Sequence, residues 1–148
     1  MEKSFEIDWV LQNELALGPA PKDENDLNYL LNKGIISVLC LCSEKESNSP
    51  NNIKRHFNFV RYVLPDHKYK EPPKLDQLEK CLEIIKELKE KGPVFVHCVA
   101  SVERSPLVCM AWLVKNHKLN PQQSLDYLME VHKGANPLPI QFNLLNSL

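Results

Sequence analysis

Residues 94–106 of this 148-residue chain, VFVHCVASVERSP, decide how the chain folds, because they join an apolar segment to a helical one through a short loop. Val94, Phe95 and Val96 form a continuous apolar run, which is typical of a strand buried on both faces. From Arg104 onward the sequence is apolar on nearly every side, which predicts a central helix. The intervening loop therefore connects the carboxyl end of a strand to the amino end of a helix.

This loop combines an anion-binding backbone with a nucleophilic side chain. Successive N–H groups in such a turn point inward, and the helix macrodipole adds partial positive charge. The planar guanidinium of Arg104 can hold two oxygens of one phosphate. A thiolate at Cys98 is favoured beside a helix N-terminus and a cation, and beneath a bound phosphate it is positioned to attack phosphorus. The spacing of Cys98 and Arg104 therefore predicts a phosphate-binding loop with a cysteine nucleophile.

Outside this stretch, short apolar runs alternate with amphipathic segments. The pattern predicts a hairpin over residues 5–17 with its turn near Asn13, a helix over Asn25 to Lys33, strands over Ile35 to Leu41 and Phe57 to Leu64, a loop over Ser43 to Asn52, and helices over Lys74 to Lys91, Arg104 to His117, Pro121 to about Lys133 and Pro139 to Leu148. This alternation predicts an α/β fold with a mostly parallel central sheet flanked by helices. The length suits a single domain over residues 1–148.

Composition argues against several classes of function. The chain has 18 Lys and Arg against 19 Asp and Glu, a net charge of −1, so it lacks the electrostatic footprint of a protein that binds nucleic acid or an anionic membrane. Its apolar stretches are shorter than the roughly 20 residues of a membrane span, and MEKSFE at the start does not resemble a secretory signal. We therefore expect a cytoplasmic protein with no nucleic-acid or membrane partner.

The five cysteines are Cys40, Cys42, Cys81, Cys98 and Cys109. An odd number without a Cys-x-x-Cys pair favours reduced thiols over a disulfide framework. The pair Cys40 and Cys42 has no matching Cys or His cluster elsewhere in the sequence, so we do not expect a zinc site or any other metal. Apart from Cys98, the cysteines are interpreted as small buried hydrophobic residues.

The element formed by His97, Cys98, five further residues, Arg104 and Ser105 resembles the His-Cys-x5-Arg-Ser/Thr signature of the cysteine-dependent protein phosphatases. The chain is most similar to the small, atypical dual-specificity phosphatases. The resemblance extends over most of the sequence: the opening hairpin at Trp9 to Pro21, the first helix and strand at Leu27 to Leu41, the general-acid loop at Leu64-Pro65-Asp66, and the C-terminal segment at Asn136-Pro137 with Gln141.

The resemblance implies a role for each matching residue. Cys98 forms a phosphocysteine intermediate, Asp66 is the general acid, Ser105 hydrogen-bonds the sulfur, and His97 supports the loop. Glu71 and Asp76 are alternative acids. No cofactor or metal is implied, and phosphate or sulfate is expected to fit the loop. Phosphate oxygens are bound by Arg104 together with the backbone N–H groups of Val99, Ala100, Ser101, Val102 and Glu103.

Two residues depart from the family pattern and keep alternative functions open. The family usually has glycine where this chain has Ser101, and serine is strained there if the position needs a positive φ. Glu103 places a carboxylate near an anion site, and we expect its side chain to point outward. The leading hypothesis is hydrolysis of phosphotyrosine, with phosphoserine or phosphothreonine, in proteins. The alternatives are a non-protein substrate (an RNA 5′ end, a phosphoinositide or a sugar phosphate) and a weakly active phosphate-binding domain.

Overall fold

The computed structural model describes residues 4–66 and 72–148. In chain order, the elements are β1 (Asp8–Leu11), β2 (Leu15–Gly18), α1 (Glu24–Asn32), β3 (Ser37–Cys40), α2 (Ile53–His56), β4 (Asn58–Arg61), α3 (Leu75–Lys89), β5 (Val94–His97), α4 (Arg104–His117), α5 (Pro121–Val131), α6 (Pro139–Asn143) and a 3₁₀ turn at Leu144–Ser147. Within these residues the strands form one sheet in the order β1-β2-β5-β3-β4. Only β1 and β2 pair antiparallel, so the predicted mostly parallel α/β sheet is confirmed.

The central strand β5 lies between β2 and β3, and all four of its residues are buried. Its side chains alternate between two hydrophobic clusters, as the twofold period of a strand requires. Val94 and Val96 pack in the cluster that contains residues of α3, α4 and α5. Phe95 packs on the other face with residues of α1 and α2. Because both faces are covered, the strand is continuously apolar and its end is held in a fixed position.

The structure confirms most of the predicted elements and adds one. The hairpin turns at Asn13, whose φ is 61°, and α4 spans the predicted residues. The segment 139–148 divides into α6 and the 3₁₀ turn, and the four-residue helix α2 was not predicted. Glu71 lies outside the described residues. Across the part of the chain that the structure describes, no helix has both the length and the apolar character needed to cross a membrane.

Candidate active site

The loop after β5 is held by hydrogen bonds to its carbonyl groups from four directions. The Val99 oxygen accepts from the Ala20 N–H at 3.0 Å, and the Val102 oxygen accepts from the Asn136 N–H at 2.7 Å. Side chains bind two more: Nδ1 of His97 contacts the oxygen of Cys98 at 2.9 Å, and Nε2 of His132 contacts the oxygen of Ser101 at 2.7 Å.

These outward carbonyl groups determine where the loop amides point. In a planar trans peptide the N–H of the next residue points opposite to the C=O. The four N–H groups that follow the tethered carbonyls therefore turn away from the tethering elements; they belong to Val99, Ala100, Val102 and Glu103. These N–H groups lie at the amino end of α4 and point away from the tethering groups, where backbone donors can bind an anion.

Ser101 has a positive φ of 59°, so serine occupies the strained backbone region at this position. Its side chain is 0% exposed, and its Oγ lies 2.7 Å from the Oγ of Ser105. The Oγ of Ser105 in turn lies 3.4 Å from the sulfur of Cys98. The left-handed backbone costs about 1 kcal/mol or more for a residue with a Cβ, but the hydroxyl gains a buried partner. Serine at this position therefore links the loop to the sulfur through two hydroxyl groups.

His132, at the end of α5, ties the loop to the first strand, and no sequence motif indicated this role. Its Nε2 contacts the oxygen of Ser101, and its Nδ1 lies 2.6 Å from Oδ2 of Asp8 in β1. A carbonyl oxygen and a carboxylate oxygen both accept hydrogen bonds, so both contacts are hydrogen bonds when each ring nitrogen carries a hydrogen. His132 therefore bridges β1 and the left-handed residue of the loop.

Arg104 is buried, with 3% of the residue exposed, and its partner is Glu46. Nη2 donates to Oε1 of Glu46 at 2.8 Å, and Nη1 donates to Oε2 at 3.3 Å. Nη1 also contacts the carbonyl oxygens of Leu64 at 3.2 Å and Leu41 at 3.5 Å. Sequence reasoning missed Glu46, because it lies in a polar loop whose spacing carries no signal of a distant arginine.

Arg104 and Glu46 each stabilise the charged form of the other. Burial disfavours the charge on Glu46, but hydrogen bonds from Arg104 and Ser43 outweigh burial and hold the pKa of this carboxyl below its ordinary value. Burial also disfavours the guanidinium charge, but the hydrogen bonds to Glu46 raise the pKa of Arg104, with Cys98 and Asp66 acting in the same direction. The arginine therefore stays charged and oriented.

Asp66 lies close to the charged pair. Although a charged residue after a proline would suit an exposed turn, Asp66 is buried, with only 9% of the residue exposed. Two residues earlier, the carbonyl of Leu64 accepts from Arg104, and Asp66 contributes to the raised pKa of Arg104. The alternative acid Asp76 is exposed at the start of α3, where its Oδ1 accepts from the N–H of Gln77 at 3.0 Å. Burial and proximity thus favour Asp66 over Asp76.

The remaining cysteines fall into two groups. Cys81 and Cys109 are 0% exposed, and burial raises the pKa of both thiols, that of Cys81 to about 12. Both fit the interpretation as buried hydrophobic residues. Cys40 and Cys42 instead contact each other, with their sulfurs 3.6 Å apart. Their mutual hydrogen bond lowers the pKa of Cys40 and raises the pKa of Cys42.

The fold and this loop identify the class of protein. A sequence model of the dual specificity phosphatase catalytic domain matches residues 12–147. The chain belongs to that family, which is a family of cysteine-based phosphatases.

Curated relatives agree with this assignment. The chain is 29% identical over 132 residues to the dual specificity protein phosphatase PHS1 of Arabidopsis thaliana, covering 86% of this chain and 14% of the plant protein. It is 33% identical over 60 residues to human dual specificity protein phosphatase 5, covering 40% of this chain and 16% of that protein. The chain therefore spans a small part of the curated relatives it matches.

Two solved structures share the fold at low sequence identity. The human tyrosine phosphatase-like serine/threonine/tyrosine-interacting protein superimposes with a TM-score of 0.85 at 22% identity, covering 97% of this chain and 95% of that one. PTPMT1 in complex with PI(5)P superimposes with a TM-score of 0.83 at 20% identity, covering 95% of this chain and 92% of that one.

Proposed function

We propose that this protein is a phosphomonoester hydrolase that uses Cys98 as its nucleophile and acts on phosphotyrosine, with phosphoserine or phosphothreonine, in proteins. The observation that carries the proposal is the orientation of the loop. Four of its carbonyls are bound outward, so four amides face the opposite side at the amino end of α4. Donors fixed before the substrate arrives stabilise charge on the phosphate oxygens in the transition state without reorganising.

Arg104 supplies the positive charge that binds the phosphate of the substrate. Because Glu46 occupies the Nη1–Nη2 edge of the guanidinium, we assign the phosphate to the other edge, formed by Nε and Nη2. Two parallel hydrogen bonds from that edge match two phosphate oxygens. Glu46 then positions the arginine, and Arg104 contacts the substrate.

In the first step, the thiolate of Cys98 forms a bond to phosphorus while the phosphorus–oxygen bond to the alcohol breaks. The leaving oxygen takes the proton of Asp66, which acts as general acid. In the second step, the carboxylate of Asp66 takes a proton from water, the water oxygen bonds to phosphorus, and the sulfur leaves as thiolate. The Ser105 hydroxyl, 3.4 Å from the sulfur, donates to that thiolate and stabilises it.

Turnover of a generic aryl phosphate tests the proposal. Wild-type protein should release phosphate and Cys98→Ser should not, while Cys98→Ser still binds a phosphotyrosine peptide. Cys109→Ala is the matched control, because Cys109 is a buried thiol on α4 with 0% exposure and should keep its activity. Peptide binding without turnover by wild-type protein would instead establish a phosphate-binding domain.

A substrate panel then separates protein from non-protein phosphates. The loop exposes two apolar side chains, since Val99 and Val102 are 41% and 40% exposed. Apolar contacts with these side chains favour a peptide with an aromatic phosphoester over a multiply charged lipid headgroup. Phosphotyrosine, phosphoserine and phosphothreonine peptides should therefore be compared with a phosphoinositide monophosphate in vesicles and an RNA 5′-phosphate. A preference in kcat/KM for either of the last two would overturn the substrate assignment.

A further inference from the structure

Three buried side chains that can bind metal meet at the carboxyl ends of β3 and β5. The register of the sheet pairs Cys40 with His97, and Cys42 follows two residues after Cys40. The two sulfurs and a ring nitrogen of His97 all lie within 4.8 Å of one another. Cys40 and Cys42 are 0% exposed and His97 is 1% exposed. Folding of the sheet therefore assembles this cluster, which the spacing of the residues in sequence did not predict.

The separation of the two sulfurs resembles that of sulfurs bound to one metal ion. They lie 3.6 Å apart, whereas a disulfide holds its sulfurs at about 2.0 Å. Bonds of about 2.3 Å between metal and thiolate place two sulfurs of a tetrahedral or trigonal centre about 3.8–4.0 Å apart. An ion therefore fits between Cys40 and Cys42 with a small movement of either side chain.

The hydrogen bonding of His97 leaves a nitrogen available as a ligand. Its Nδ1 lies 2.9 Å from the carbonyl oxygen of Cys98, and a carbonyl can only accept, so the hydrogen is on Nδ1 and the lone pair is on Nε2. Nε2 is buried and pairs with no described oxygen or nitrogen, while the imidazole interacts with the neighbouring thiol of Cys40. Histidine ligands of metals commonly donate their other ring N–H to a backbone carbonyl in this way.

Charge and ligand number point to a monovalent ion. Nη1 of Arg61 donates to the sulfur of Cys40 at 3.4 Å. Two thiolates around a monovalent cation carry one net negative charge, which the guanidinium neutralises, whereas a divalent ion leaves a surplus positive charge in a buried site. Among the residues that the structure describes, the cluster offers three His, Cys, Asp or Glu ligands. Zn²⁺ favours four, and thiolates also select Cu⁺.

We propose that Cys40, Cys42 and His97 form a three-coordinate binding site for Cu⁺. When the ion binds, Cys40 and Cys42 coordinate it as thiolates, any proton that a sulfur carries is released to solvent as its sulfur–copper bond forms, and no atom changes oxidation state. The site is separate from the nucleophile and does not depend on the hydrolase activity proposed above. It reaches the catalytic loop through His97, whose Nδ1 contacts the oxygen of Cys98.

Copper titration of the full chain tests the site. The Cys98→Ser background removes the reactive thiol as a competing ligand, and bicinchoninate under reducing conditions sets the free Cu⁺ concentration. A single ion per chain should bind to the Cys98→Ser protein. Further replacement of Cys40 and Cys42 with serine should abolish this binding. Replacement of Cys81 and Cys109 with alanine is the matched control, because it also removes two buried thiols, and it should leave the binding unchanged.

A spectroscopic measurement keeps the test valid if the double serine variant fails to fold. X-ray absorption at the copper edge of loaded Cys98→Ser protein should show two sulfur ligands and one imidazole nitrogen. Absence of stoichiometric binding, equal loss in the Cys81 and Cys109 control, or a centre without imidazole would each overturn the site. Binding of Zn²⁺ in preference to Cu⁺ would overturn the choice of ion.

Discussion

Replacing Glu46 with alanine should cost the folded protein about 3 kcal/mol, because it leaves a buried guanidinium without its carboxylate. The side chains of Arg104 and Glu46 are 4% and 14% exposed, and breaking a buried ion pair by removing one partner costs about 3–5 kcal/mol. Nη1 of Arg104 keeps its contacts with the carbonyls of Leu41 and Leu64, so we take the lower end. Glu46→Gln keeps a neutral acceptor and should cost about 1–2 kcal/mol.

Urea unfolding at neutral pH measures these losses, and thermal unfolding of the alanine variant should show a Tm lower by about 6–12 °C. Glu14→Ala is the matched control. It removes an ion pair of similar length, in which Glu14 lies 3.0 Å from Lys89 and the two side chains are 53% and 20% exposed, respectively. Exposed pairs contribute at most about 1 kcal/mol. Equal losses in the Glu14 and Glu46 variants would refute the reasoning from burial.

The same pair predicts a pH dependence of stability. Hydrogen bonds from Arg104 hold the pKa of Glu46 in the folded protein below its ordinary value, and in the unfolded chain that value is about 4.3. The stabilisation is therefore complete above the unfolded pKa and is lost as the pH falls through the folded pKa. The stability difference between wild type and Glu46→Gln should shrink in acid, and a constant difference from pH 7 to pH 3 would contradict the assignment.

Three further predictions concern the loop and its acid. In urea unfolding, Ser101→Ala should lower the free energy of unfolding by about 1–2 kcal/mol, because it loses the Ser105 hydrogen bond and keeps the positive φ. Ser101→Gly should stay within about 1 kcal/mol of wild type. A larger loss for the glycine variant than for the alanine variant would contradict this reasoning. Asp66→Asn should slow alkyl phosphates about 10²–10⁴-fold and activated aryl phosphates least; equal losses would reassign the acid. His132→Phe should lower kcat roughly 10–100-fold with KM less affected, and Asp8→Asn should lower it less; an unchanged kcat would remove His132 as a positioning residue.

The fold was largely predictable because its central elements have a local signal. The apolar run at Val94 to Val96 and the all-round apolar helix from Arg104 can only be buried between layers. The predicted strand over Ile35 to Leu41 is longer than β3, because Ile35 and Leu41 are buried in the core although they lie outside the paired residues of the strand. The helix α2 was missed because four residues are too few to show a 3.6-residue period.

The candidate site was predictable only where its residues are neighbours in sequence. Cys98 to Ser105 form one segment, so their spacing carries the geometry. Glu46 contacts Arg104 across 58 residues of sequence, and His132 contacts Ser101 across 31. A charged or polar residue in a loop carries the same sequence signal whether its side chain is solvated or buried against a distant partner. Asp66 is proposed as the acid only through the family resemblance, since a single carboxylate after a proline also suits an ordinary turn.

The anchoring of the loop indicates how it keeps its shape without glycine. Each tethered carbonyl from Cys98 to Val102 has its donor in a different part of the fold: the end of β5, the segment after β2, the end of α5 and the segment before α6. Because these donors come from distant elements, the shape of the loop depends on tertiary contacts rather than on glycine backbone freedom. Residues with a Cβ also lower the conformational entropy of the unfolded loop. Local opening of α5 or of the segment before α6 releases Ser101 or Val102. Phosphatase activity should therefore decline in mild denaturant before the central sheet unfolds.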